Sequence, residues 1–227
     1  MPPRIDADAR RREIAGLAAR LVATRGPDIS LRSLAAEAGA STTVITHFFA
    51  SKAEVLEAAY RASVDEARGR VEQLPGDEHP RRIELLCEAV LPLDEARRLN
   101  WLTWLGFMGA AIHDPRLAAL QRSRVTGHRA LLEKAVAAAR QDGRVHPDRR
   151  PADEARSLVA LVHGVASHAV FHPDDWPADR QTGTVHALVS QLRYPPADRS
   201  PQPDESGRTP DPERAAERSA AGGTTVG

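Results

Sequence analysis

Eight side chains between Ser30 and Lys52 are suited to gripping an anion or reading a hydrogen-bonding edge: Ser30, Arg32, Ser41, Thr42, Thr43, Thr46, His47 and Lys52. Hydroxyls, an imidazole and cations of this kind bond phosphate oxygens and base edges. They form no catalytic frame. Nowhere does the chain carry a Gly-rich phosphate loop, a G-x-S-x-G elbow, an HExxH run or an obvious pair of carboxylates, so an enzyme is not expected. Thr43 and Thr46 are best suited to base edges, since a Thr methyl packs on thymine and its hydroxyl bonds a base. Lys52 is best suited to a phosphate, at a helix start where backbone N–H groups already favour an anion.

These residues need rigid elements to hold them, and the local sequence supplies three. Ser30 precedes the apolar-periodic run Leu31, Leu34, Ala35, Ala38, and its side chain can accept from an orphan helix N–H. Gly39 follows, where a helix stop tolerates positive φ. Ser41 caps a second run in which Val44, Ile45, Phe48 and Phe49 recur at helical spacing. Ser51 and Glu54 form an S-x-x-E capping box at the start of a third. Two short helices joined by a tight turn present one of them as a probe for the major groove of DNA.

The stretch from Arg11 to Ala59 resembles the DNA-binding domain of TetR-type transcriptional regulators. The likeness is carried by a long amphipathic helix ending in Arg25-Gly26, then SLRSLAAEAGAS, then THFFASKAEVL. It departs from the family pattern at Thr46, where the family usually places a phosphate-holding Tyr, and at Thr42-Thr43, where Lys-Gly or Arg-Gly is frequent. The resemblance implies DNA binding and leaves the operator sequence open. Further on, PLDEARRLNWLTWLGF, IHDPRL, DGRVHPD and ALVHGVA resemble the C-terminal domain of the BetI-like branch of that family. That resemblance implies an inducer site among helices four to eight. It also implies a dimer in which the last two helices of each subunit pair as a four-helix bundle.

Helical periodicity and Pro, Gly and Asp punctuation predict an all-α chain of about nine helices. The first spans Ala7 to Arg25 and the fourth Lys52 to Leu74. The others cover Pro80–Val90, Glu95–Ile112, Pro115–Gln141, Ala152–Phe171 and Ala178–Leu192. The expected organisation is a helix-turn-helix head over 1–51, a connecting helix over 52–74, and a ligand-binding and dimerisation body over 75–194. The tail over 195–227 holds six of the 17 prolines and few large apolar side chains, so disorder is expected there.

Within the body, Trp101, Trp104, Leu105 and Met108 share one stripe in a chain only 4% aromatic. They are either core or the wall of a pocket for an apolar or cationic small molecule. Gly106 and Gly109 on the same helix each cost about 1 kcal/mol against Ala, which suggests room kept for a guest or a close neighbour. Leu158, Leu161, Val162 and Val165 form one apolar stripe, and Val185, Leu188, Val189 and Leu192 another; both are expected at a dimer interface. His163, His168 and His172 raise a metal-binding alternative, but no second cluster completes a site, and no cofactor or metal is expected.

Composition adds limits. Basic and acidic residues number 31 each, so net charge alone does not point to nucleic acid. Arg4, Arg10, Arg11 and Arg12 are either a DNA-reaching arm or a solvated helix start. Cys87 is the single cysteine, in an apolar run, which suggests a packing thiol and a reducing cytoplasm. No run approaches 18 apolar residues, and no signal-type segment opens the chain, so neither a membrane span nor export is expected. Together these features predict a homodimeric, ligand-responsive DNA-binding repressor reading a palindromic double-stranded operator. The alternatives are a sensor with a vestigial head and a helical metalloenzyme.

Overall fold

The computed structural model describes residues 6–193, and every regular element among them is a helix. In chain order these are α1 (Ala7–Arg25), α2 (Leu31–Glu37), α3 (Thr42–Phe48), α4 (Lys52–Glu72), α5 (Arg82–Glu88), α6 (Glu95–Ala111), α7 (Pro115–Gln141), α8 (Pro151–Phe171) and α9 (Ala178–Arg193). The tail over 195–227 lies outside the described residues.

Side-chain caps set the helix starts of the head. Ser30 Oγ accepts from Ser33 N at 3.0 Å, and Ser33 Oγ accepts in return from Ser30 N at 3.1 Å. Ser41 Oγ accepts from Val44 N at 3.3 Å and Ser51 Oγ from Glu54 N at 3.2 Å. Glu54 reaches back one residue further than a capping box requires, accepting from Ala50 N at 2.8 Å. Gly26 and Gly39 adopt φ +83° and +57°, which lets α1 and α2 stop and the chain turn. The fifth helix is shorter than expected, seven residues without a side-chain N-cap, because turns occupy both its flanks.

Two apolar cores result. Ile14, Leu21, Leu34, Ile45, Phe49 and Val55 close the head, while Leu86, Trp101, Phe107, Leu132, Leu158 and Val185 anchor the body. Helix α4 belongs to both: Val55 and Ala59 lie in the head core and Tyr60 in the body core. Helix α6 passes under α1, where Thr103 Oγ1 donates to Ala19 O at 2.9 Å. Gly106 is the point of closest approach. A Cβ there would stand 3.0 Å from Val22 Cγ1 and 3.6 Å from Pro27 Cδ, so its missing side chain makes room for the head. Gly109 meets nothing within 4 Å.

Candidate functional site

Helix α3 and its C-cap residue bury Ile45 and Phe49, and the helix turns Thr42, Thr43, Thr46 and His47 to solvent. Seven residues give one buried face only, and the i, i+4 pair Ile45–Phe49 fills it. Val44, expected among the apolar positions, is therefore 37% exposed and joins the outer face beside Thr43. Ser30 and Arg32, at the start of α2, and Lys52, at the start of α4, are exposed as well.

Several of these side chains already have partners. Ser30 and Ser41 are engaged as caps, and Thr46 Oγ1 donates to Thr43 O at 3.0 Å. Lys52 Nζ pairs with Asp28, and its ammonium pulls the Asp28 carboxyl below the usual carboxylate range. A phosphate at Lys52 would have to displace or share that carboxylate. The basic cluster at the front is used internally in part. Arg10 Nη2 donates to Ala38 O at 3.1 Å, Arg11 Nε donates to Phe48 O at 3.3 Å, and the Arg11 guanidinium lies 4.8 Å from the centre of the Phe49 ring. These two residues brace the ends of α2 and α3 from α1; Arg4 lies outside the described residues.

The body encloses a cavity of about 330 Å³ between α4, α6, α7 and α8. Its apolar wall includes Val64, Val71, Val90, Leu120, Val125 and Trp101. Of the expected aromatic stripe, Trp101 lines it, and Trp104 lines a side pouch of about 10 Å³ that shares Tyr60, Val64, Trp101 and Arg124 with it. Leu105 and Met108 do not line it; they pack against the body core. The reason is rise along the helix, which puts Met108 about 10 Å beyond Trp101.

The cavity's polar groups come mainly from α7 and α4. Along α7 the stripe Leu117, Gln121, Arg124, His128, Leu132, Ala135 runs at three- and four-residue steps toward the core. Gln121 Oε1 accepts from both Tyr60 Oη at 2.8 Å and Trp104 Nε1 at 2.9 Å. The Arg124 guanidinium lies 5.5 Å from the Trp104 ring centre and beside the Tyr60 hydroxyl, and burial pulls its pKa down. His163 of α8 packs its ring 5.6 Å from Trp101 and 5.2 Å from Trp104, centre to centre. Burial first, and then the nearby Arg124 charge, lower the His163 pKa to about 4. Burial also lowers His128 to about 4, against a raising contact between its Nε2 and Leu86 O at 3.3 Å. Both imidazoles are neutral at pH 7, so the fixed charge deepest in the cavity is cationic. Apolar walls around one buried guanidinium thus set the chemistry of this cavity.

A family model for bacterial regulatory proteins of the TetR family matches residues 14–59, which contain α2 and α3. Another, for the C-terminal part of BetI-type transcriptional repressors, matches residues 80–193, half of the chain. The chain belongs to the TetR family of transcriptional regulators. The HTH-type transcriptional regulator BetI of Vibrio parahaemolyticus is 28% identical over 158 residues, 66% of this chain and 75% of the relative. The regulator PksA of Bacillus subtilis is 28% identical over 197 residues, 85% of this chain and 94% of that one. A regulator from Saccharomonospora viridis, solved in complex with choline, superposes with a TM-score of 0.73 at 23% identity, covering 81% of this chain and 96% of its own. A Rhodococcus regulator gives 0.72 at 24%, covering 82% and 99%. At these identities the two structures bear on the fold alone.

In this TetR-type regulator six of the eight expected dimer residues are buried within the single chain. Leu158, Val162, Val165, Val185, Val189 and Leu192 are at most 4% exposed within a single chain. Helix α8 spends that stripe on α7, and α9 packs on α5 and α8. Only Leu161 and Leu188 of the expected set are partly exposed. Beside them the outer faces carry Ala160, Gly164, His168 and a 69% exposed Phe171 on α8, and Gly183 and Ala187 on α9. His168 and His172 stack at 6.5 Å on this surface, and His168 also stacks on Trp176 at 5.7 Å. Among the described residues no three His, Cys, Asp or Glu side chains converge to hold a metal ion. Cys87 is fully buried, and burial pushes its thiol pKa up, so it packs rather than reacts.

Sequence reasoning missed Arg124 and His128 as cavity groups, Asn100 on the wall of the side pouch, and Val44 on the outer face of α3. A signal for the first two existed: polar residues recurring on the core-facing stripe of α7.

Proposed function

We propose that this regulator is a homodimeric repressor that acts in the cytoplasm by binding, not by catalysis, and leaves its operator when a small molecule fills the body cavity. Thr42, Thr43, Thr46 and His47 on α3 would meet base edges and nearby phosphates. Ser30, Arg32, Ser41 and Lys52 would hold the backbone on either side. The observation that carries the reading is the solvent-facing row of hydrogen-bonding side chains on a seven-residue helix whose other face is locked by Ile45 and Phe49. Helix α4 supports the regulatory half. Its first residue is Lys52, and its later turns supply Tyr60, Val64, Ala67 and Val71 to the cavity. A guest pressing on that wall would tilt the helix that carries the head, with leverage limited to its differential affinity for the two states. That the Saccharomonospora viridis neighbour was solved in complex with choline supports a small-molecule effector without setting its site or its charge.

For the dimer we propose the outer faces of α8 and α9 around Leu161, Leu188 and Phe171, one step round each helix from the buried stripes. An exposed apolar face on paired terminal helices favours self-association.

Retardation of the DNA upstream of its own coding sequence tests the reading. The full chain should give a salt-sensitive, sequence-dependent shift. Thr43→Ala should weaken it by about 1–3 kcal/mol at particular sequences, while Lys52→Gln should weaken it uniformly and reduce the salt slope by about 1. Failure to shift any DNA sequence-dependently at low salt would instead support a head that has lost DNA binding.

A further inference from the structure

We propose that the cavity takes an organic anion, with an apolar body along α4 and α7 and a carboxylate-type head at Arg124 and Asn100. The proposal rests on the reading of the cavity as an effector site and adds its chemical class. Two orphaned donors carry it. Arg124 Nη1 and Asn100 Nδ2 are both buried without a hydrogen-bond partner, and both residues line the pouch beside Trp104. Each would gain from an acceptor, and a buried donor left unpaired is costly. The pouch, at about 10 Å³, has room for about one water or for the oxygens of a head group entering from the main cavity.

The charges around the site point the same way. Among the described residues no carboxylate lies within salt-bridge distance of Arg124, whose neighbours are the Tyr60 hydroxyl and the Trp104 face. The other cations of the wall each have a carboxylate nearby: Arg61 shares Glu57 at 3.0 Å with Arg116 at 2.8 Å, and Arg68 stands 4.0 Å from Asp65. Arg70, in the pouch, is committed to Ala89 O at 3.1 Å. Arg124 therefore stands as an uncompensated buried guanidinium in a chamber whose remaining polar groups are Ser123, His128 and His163. A guanidinium favours planar, bidentate recognition of carboxylates. It also takes the place over Trp104 where a cationic guest would otherwise seek an aromatic face.

Three probes with one eight-carbon tail separate head-group chemistry from tail burial: octanoate, octanol and octyltrimethylammonium. Binding to the full chain is read by tryptophan fluorescence and confirmed by calorimetry. Octanoate should bind roughly tenfold or more tighter than octanol, as a charge-assisted hydrogen bond implies, with octyltrimethylammonium the weakest. Arg124→Gln should abolish that preference while leaving octanol binding in place. Arg124→Lys, which keeps the charge and should fold where Gln does not, should retain part of it. Equal binding of octanoate and octanol, the mark of a pouch filled by water alone, would overturn the proposal, as would a preference for octyltrimethylammonium; neither would disturb the effector-site reading. Binding of none of the three at millimolar concentration would overturn both.

Discussion

On α7, Gln121, Arg124 and His128 stand where leucines would ordinarily continue the stripe from Leu117 to Leu132, and that substitution of polar for apolar side chains has a measurable consequence. His128 and its neighbour across the cavity, His163, each have a pKa near 4 in the folded chain, against 6.5 unperturbed. The unfolded chain therefore binds more protons between about pH 6.5 and 4. Stability is complete above that window and falls as pH drops through it, by about 2 kcal/mol per histidine at pH 5. Burial in the surrounding wall holds both neutral first, then the Arg124 charge, with the His128 imidazole adding at His163 and the Leu86 carbonyl opposing at His128. Thermal unfolding should shift down by roughly 10 °C between pH 7.5 and pH 5. The double variant His128→Gln, His163→Gln should flatten that slope; an unchanged slope would show that neither imidazole is protonated on unfolding.

Individual helices were legible where their ends are marked by side-chain chemistry. Asp6, Ser30, Ser41, Ser51, Asp94 and Asp114 all cap the helices they precede, each accepting a backbone N–H of the first turn. Helix α5, with no side-chain cap, is the one whose limits moved at both ends, by two residues each, while α4 stops two residues early at Glu72. Periodicity identifies an apolar face but not what covers it. That is why six of the eight residues in the stripes of α8 and α9, read as a dimer surface, are buried within the single chain, and why Val44 lies outside the head core. The cavity was half legible: Trp101 and Trp104 stood out, whereas Arg124 gained its meaning only when α4, α6 and α7 came together. Gly106 and Gly109 look alike in sequence and differ in contact, which gives a paired test. Gly106→Val should destabilise the chain by about 1–3 kcal/mol by forcing α6 from Val22 and Pro27. Gly109→Ala, facing open space, should stabilise it by about 1 kcal/mol. Chemical denaturation midpoints of the two variants measure both; equal shifts would contradict the close packing assigned to Gly106.

In the molecule as a whole, head and body are joined through two shared elements. Helix α4 runs from the head core to the cavity, and α6 presses on α1 at Thr103 and Gly106. Glu57 of α4 is held by Arg61 at 3.0 Å and by Arg116 at the start of α7 at 2.8 Å, so a displacement of α7 by a guest reaches α4 through an ion pair as well as through packing. Two such chains joined through α8 and α9 would set a fixed separation between their α3 helices. That separation is the central claim, because one short helix alone reads too few bases to define an operator. Selection of bound duplexes from a random pool by the full chain tests it most directly. The account predicts enrichment of an inverted repeat whose half-sites are centred about one helical turn, roughly 34–36 Å, or a multiple of it apart. Enrichment of a single unpaired half-site, or of no sequence at all, would contradict it.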